Sequence, residues 1–161
     1  MAFIGIITSK KNESVLKRVV NKSIENNTKR QSIIIINEKN IENIKNVKFD
    51  IIIINEESEI IGKKPEIVKM MVKKTRYLIL NTDIYSNLLI IKNLELTVIT
   101  FGLNLKATVL ASSLQKNNIC ISIQRQIKNF SGHTIEPNEK TIKTDNIDIY
   151  SSLVGYILEI L

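Results

Sequence analysis

Four short apolar runs, Phe3 to Ile7, Ser32 to Ile36, Asp50 to Ile54 and Tyr77 to Leu80, recur along the first half of the chain with helical pattern between them. The isoleucine runs at 33–36 and 51–54 show no polar alternation. That is the pattern of strands covered on both faces, and so of a parallel sheet. After the first run, Val15, Val19, Val20 and Ile24 fall at helical spacing. Pro65 to Lys73 opens with proline at a first helical turn, where its missing N–H has no intrahelical partner to lose. Leu88 to Leu94 predicts another short helix and Leu96 to Phe101 a fifth strand. Strand and helix alternate, which predicts an α/β fold with an open, mostly parallel, Rossmann-like sheet flanked by helices.

After Gly102 the pattern changes. Ala107 to Leu114, Ile119 to Gln126 and Thr134 to Thr144 are short and partly alternating, separated by the turn-prone stretches LQKNN and KNFSG. They predict a small antiparallel β segment near residues 107–144. Ile149 to Leu161 predicts an apolar helix docked on the core. No linker or repeat divides residues 1–161, which read as a single domain long enough to bury a core without disulfides or metal.

Composition narrows the function classes. One cysteine, Cys120, and one histidine, His133, leave no disulfide and no expected metal site. The net charge of +7 comes from 19 lysines and only 4 arginines, and Ile (32) and Asn (18) are inflated alongside lysine. A/T-rich codon usage accounts for all three together. The 8 aromatics are not grouped with basic residues as a stacking platform requires, so nucleic acid is not the expected partner. The start MAFIGIITSKK lacks the features of a signal peptide, and no apolar run approaches the roughly 18 residues of a membrane span. A soluble, cytoplasmic protein with no membrane contact is expected.

The stretch FIGIITSKKNESVLKRVV has the strand, turn and helix of a phosphate loop without its chemistry. Such a loop needs glycines so that backbone N–H groups converge on phosphate, and Lys and Ser/Thr for charge and magnesium. Against G-x-x-x-x-G-K-[ST], Gly5 and Lys11 match, while Lys10 takes the second glycine's place and Asn12 that of the hydroxyl. The turn is then either a plain connection capped by Ser9 or Asn12, or an anion site using Lys10, Lys11 and the helix N-terminus. Asn81 and Asp83, after the strand YLIL, stand at the carboxyl edge where open α/β sheets bind ligands. Asn81 offers a donor and an acceptor to an adenine-like edge and Asp83 an acceptor to a ribose; the alternative for Asp83 is a helix cap. Glu56, Glu57 and Glu59 after FDIIII read as a magnesium site or as the first turn of the next helix.

Together these pieces resemble the central, ATP-binding domain of the Mur ligases, which add amino acids to peptidoglycan precursors. LILNTD followed by VITFGLNLKATVLASS is similar to the family's Asn-x-Asp-Asp strand end and its later glycine-containing strand. DIIIINEESEII and IYSSLVGYILEI resemble two further segments, so the likeness spans nearly all 161 residues. In the family register Thr8 and Lys11 stand at the loop glycines, Asn12 at the phosphate lysine, and Glu13 and Ser14 at the threonines. Residues 57–61 carry no histidine, Ile147 and Asp148 replace a His-Asn pair, and Ile84 replaces the second aspartate; Lys69 is a loose counterpart of the family's modified lysine.

Acyl-phosphate chemistry rests on electrostatic positioning, each contributor being worth roughly 10² to 10³ in rate. With several contributors replaced, the resemblance implies a stand-alone binding or assembly module that has lost its phosphate site, without catalytic residues or cofactor. Its expected partner is another protein, of a cell-wall or sporulation process, or a second copy of the chain. The alternative is a sensor or ligase-like enzyme that holds magnesium-ATP through Lys10, Lys11, Asn12, Asn81 and Asp83.

Overall fold

The isoleucine run at 51–54 lies inside an eight-stranded sheet and is fully buried, whereas the run at 33–36, expected to be covered on both faces, lies along the sheet's edge with residues 33–35 only half-buried. The computed structural model describes residues 2–25, 31–144 and 146–161, with the backbone alone described at 2, 24 and 25. The side chain of Ile24, assigned above to a helical stripe, therefore lies outside the described residues. In chain order the strands are β1 (Ala2–Ile7), β2 (Gln31–Ile35), β3 (Ile51–Ile54), β4 (Tyr77–Asn81), β5 (Val98–Gly102), β6 (Val109–Gln115), β7 (Asn118–Ile123), β8 (Ile127–Lys128), β9 (Thr134–Ile135) and β10 (Asn138–Lys143). The helices are α1 (Glu13–Glu25), α2 (Ile41–Ile44), α3 (Glu59–Lys63), α4 (Pro65–Lys73), α5 (Tyr85–Ile91) and α6 (Ile149–Ile160).

The large sheet runs β10-β7-β6-β5-β4-β3-β1-β2, with β2 through β6 parallel and β7 and β10 antiparallel. Successive side chains of a strand face opposite ways, and the isoleucine run of β3 uses this fully. Ile51 and Ile53 pack with Leu16 and Val20 of α1 and Leu153 and Ile157 of α6. Ile52 and Ile54 pack with Ile60 and Ile61 of α3, Val68 and Val72 of α4 and Ile90 of α5. An unbroken apolar run is thus required because both faces are covered.

Two boundaries differ from the pattern-based reading. Helix α5 starts at Tyr85 and ends at Ile91, because the backbone leaves the helical region at Lys92 (φ −59°, ψ 122°) and Asn93 (φ 64°) completes a turn closed by the Leu94 N–H donating to the Ile91 carbonyl. Strand β5 accordingly begins at Val98. The antiparallel region expected at 107–144 forms within the chain, and most of it extends the main sheet: β6 joins β5 through Phe101 opposite Val109 and Gly102 opposite Leu110. The separate two-stranded piece is β8 with β9. It is tied to the core by the Tyr77 hydroxyl, which donates to the Lys128 carbonyl (2.7 Å), and by Arg76, which donates to the Phe130 carbonyl (3.0 Å) and lies over the Phe130 ring. Among the described residues no helix is long and apolar enough to cross a membrane.

Candidate functional site

Strand β1 has β2 on one side and β3 on the other, so the chain direction across the sheet reverses there. In open α/β sheets ligands enter the crevice beyond the carboxyl ends of the strands at that reversal. Here Ile7 pairs with Ile54, Ile54 with Leu80, and Asn81 with Phe101. Thr8, Asn55 and Asn81 consequently form the next row, a polar fringe on an isoleucine sheet. The Asn55 N–H continues the ladder by donating to the Ile7 carbonyl (3.2 Å).

The turn after β1 folds on itself, with the Asn12 N–H donating to the Ser9 carbonyl and the Asn12 carbonyl accepting the first helical bond of α1 from Leu16. Both side chains of this turn point to one carboxylate. Ser9 Oγ donates to Glu56 Oε2 and Asn12 Nδ2 donates to Glu56 Oε1, so the half-buried Glu56, just past β3, is held at both oxygens. An internal anion is bound where the fold would present donors to an external one. Lys10 and Lys11 are exposed and make no ion pair among the described residues. Gly5 is a packing residue within β1: a Cβ there would come within 2.7 Å of Ile36 Cδ1 and 3.2 Å of the Phe49 ring. Its match to the first glycine of a phosphate loop is therefore coincidental in space.

Asn81 and Asp83 are brought together, and both serve the fold. The buried Asn81 amide donates to the Asn55 carbonyl (2.8 Å) and accepts from the Asp83 N–H (3.0 Å), while Asn87 donates to the Asn81 carbonyl (3.0 Å). Asp83 does not cap α5, whose N-cap Ile84 has no side-chain bond. Its carboxylate instead receives the Leu103 N–H (2.6 Å), Asn104 Nδ2 (2.6 Å) and the Tyr150 hydroxyl (3.1 Å). Bonds to a charged acceptor are the stronger kind, and three of them link the ends of β4 and β5 to the start of α6. Gly102 makes room for this, since a Cβ there would sit 2.6 to 2.8 Å from the Asp83 carboxylate atoms.

Sequence reasoning did not single out Tyr150 or Asn104, and it named Ser9, Asn12 and Glu56 without joining them. The signal was present only as types: hydroxyl and amide side chains beside strand ends, without distances. Burial, and next the Asp83 charge and hydrogen bond, raise the Tyr150 phenol above its ordinary value. Asp148 caps α6 by accepting from the Ser151 N–H (2.9 Å). Glu59 lies in the first turn of α3, as one of its readings expected, and pairs with Lys63 (2.6 Å). His133 is exposed, Cys120 is half-buried, and among the described residues no three His, Cys, Asp or Glu side chains converge as metal ligands.

One local feature stands apart. The buried Thr8 hydroxyl and both ends of the fully buried Asn55 amide have no hydrogen-bond partner among the described residues. Compared with known protein families and with curated proteins, the chain matches none.

Proposed function

We propose that the chain is a non-catalytic, Mur-ligase-like binding or assembly module of the cytoplasm, in which an internal hydrogen-bond network has replaced the phosphate site. The observation that carries this reading is the Glu56 carboxylate held by Ser9 and Asn12 at the crevice. A phosphate entering there meets a like charge. At about 4 Å and an effective dielectric near 20 that repulsion is roughly 4 kcal/mol per unit charge, enough to offset most of a modest nucleotide affinity. Asn81 and Asp83 support the same reading, because binding adenine or ribose would require breaking bonds they already make. Around them the carboxyl edge exposes Tyr85 (76%) and Leu105 (82%), apolar surface suited to a protein partner or a second copy in a cell-wall or sporulation process.

Calorimetric titration with magnesium-ATP, with magnesium-ADP alongside, tests the reading. No binding is expected at millimolar nucleotide. Binding near or below about 100 µM, with a rise in melting temperature, would overturn it. That result belongs to the second reading, an ATP sensor or ligase-like enzyme, which the unpartnered Thr8 and Asn55 groups favour, since buried polar groups without partners are costly.

A further inference from the structure

On the face of the sheet opposite α1, a cleft of about 650 Å³ opens between α3, α4 and α5. Ile61, Pro65, Leu89 and Ile90 give it apolar walls, and Leu89 is half exposed (51%). Its rim carries three carboxylates, Glu57, Glu59 and Glu66, against one ammonium, Lys69, in a chain whose net charge is +7. Glu59 is paired with Lys63 (2.6 Å) and also feels the charge of Lys10, and Glu66 lies 3.7 Å from Lys69, so Glu57, which forms no ion pair among the described residues, is the carboxylate left to meet an incoming cation. The buried Ser86 hydroxyl, also lining the cleft, has no partner among those residues. Apolar walls under an acidic rim suit a long basic side chain, whose methylene stem lies along hydrocarbon while its head meets carboxylate.

The matching surface is on the same chain. Along the outer side of α1 a shallow depression is lined by Ser14, Lys17, Arg18, Asn21 and Lys22, with no carboxylate among them. Leu16 and Val20 of α1 belong to one core layer, and Ile61 and Ile90 beside the cleft belong to the other. The sheet lies between them, so the basic helix and the acidic cleft cannot meet within one molecule. We propose that the cleft of one copy receives Lys17 and Arg18 of the next, so that the chain assembles head to tail. Contacts between two different surfaces on opposite faces do not close on themselves as a two-fold dimer; they propagate as a chain or close as a ring. This inference rests on the assembly reading above, and the two fail separately: nucleotide binding would remove that reading, whereas a monomer would remove only this one.

Light scattering on a size-exclusion column tests it. At about 50 mM salt, where screening is weak, the wild-type protein is expected to exceed the 18.4 kDa of one chain and to approach that mass at about 500 mM. Glu57→Lys with Glu66→Lys, and separately Lys17→Glu with Arg18→Glu, each leave one working surface and are expected to be monomeric alone. Their equimolar mixture is expected to assemble again, since the native helix of one variant meets the native cleft of the other and the two reversed surfaces are themselves complementary. All four positions are exposed, and unchanged melting temperatures will confirm that the variants fold. If a charge reversal lowers the melting temperature, the Gln versions of the same pairs take its place. A wild-type protein that stays monomeric at low salt overturns the proposal, as does an oligomer untouched by either pair of substitutions or a mixture that remains two monomers.

Discussion

Asp83 stands exposed two residues past the end of β4. Its carboxylate gathers one backbone N–H, one amide and one phenol, and fits only because position 102 is glycine. Asp83→Ala is expected to lower stability by about 0.5 to 1.5 kcal/mol, since Asp83 and its three hydrogen bonds are exposed and water can replace the lost acceptor. Gly102→Ala is expected to cost a similar amount, because its methyl group would collide with the carboxylate. The two losses share a cause, so the double variant should be less destabilised than the sum. Urea unfolding of the four proteins checks this. Additive losses would mean that the contact between Gly102 and Asp83 carries no energetic weight.

At the scale of elements, α6 is joined to the carboxyl edge through Tyr150 as well as through its apolar packing. The phenol must stay protonated to donate to Asp83, and its folded value is raised by burial and by that carboxylate. The unfolded chain releases this proton at about pH 10, so the contribution is complete below that pH and is lost as pH rises above it. Tyr156 is shifted the same way by burial and Glu159. Tyr150→Phe is expected to flatten part of the alkaline fall in melting temperature, leaving the Tyr156 share; an unchanged alkaline limb would contradict the assignment. The elements themselves were legible in the sequence wherever one physical demand dominated. Ile51 to Ile54 must be apolar on both faces, and Pro65 opens α4 as expected. Less legible were the joining of β6 to β5, set by pairing between distant segments, and the turn at Lys92 and Asn93 that ends α5. The site was legible as a location and not as a function. Lys10, Lys11, Asn12, Asn81 and Asp83 do lie at the carboxyl edge, but only the fold reveals that Glu56 occupies Asn12 and that Leu103, Asn104 and Tyr150 occupy Asp83.

For the whole molecule, the sheet separates two chemistries. One face carries α1 with its lysines and arginine, the other the acid-rimmed cleft, and the carboxyl edge between them is knitted together by its own side chains. The proposed function requires that this edge be closed to phosphate from within. A crystal structure of the wild-type protein in the presence of inorganic phosphate and magnesium-ATP tests it most directly. The Glu56 carboxylate is expected still to accept from Ser9 and Asn12, with no phosphate on the turn. A phosphate group bound by Ser9, Asn12 and Lys11, with Glu56 turned away, would contradict it.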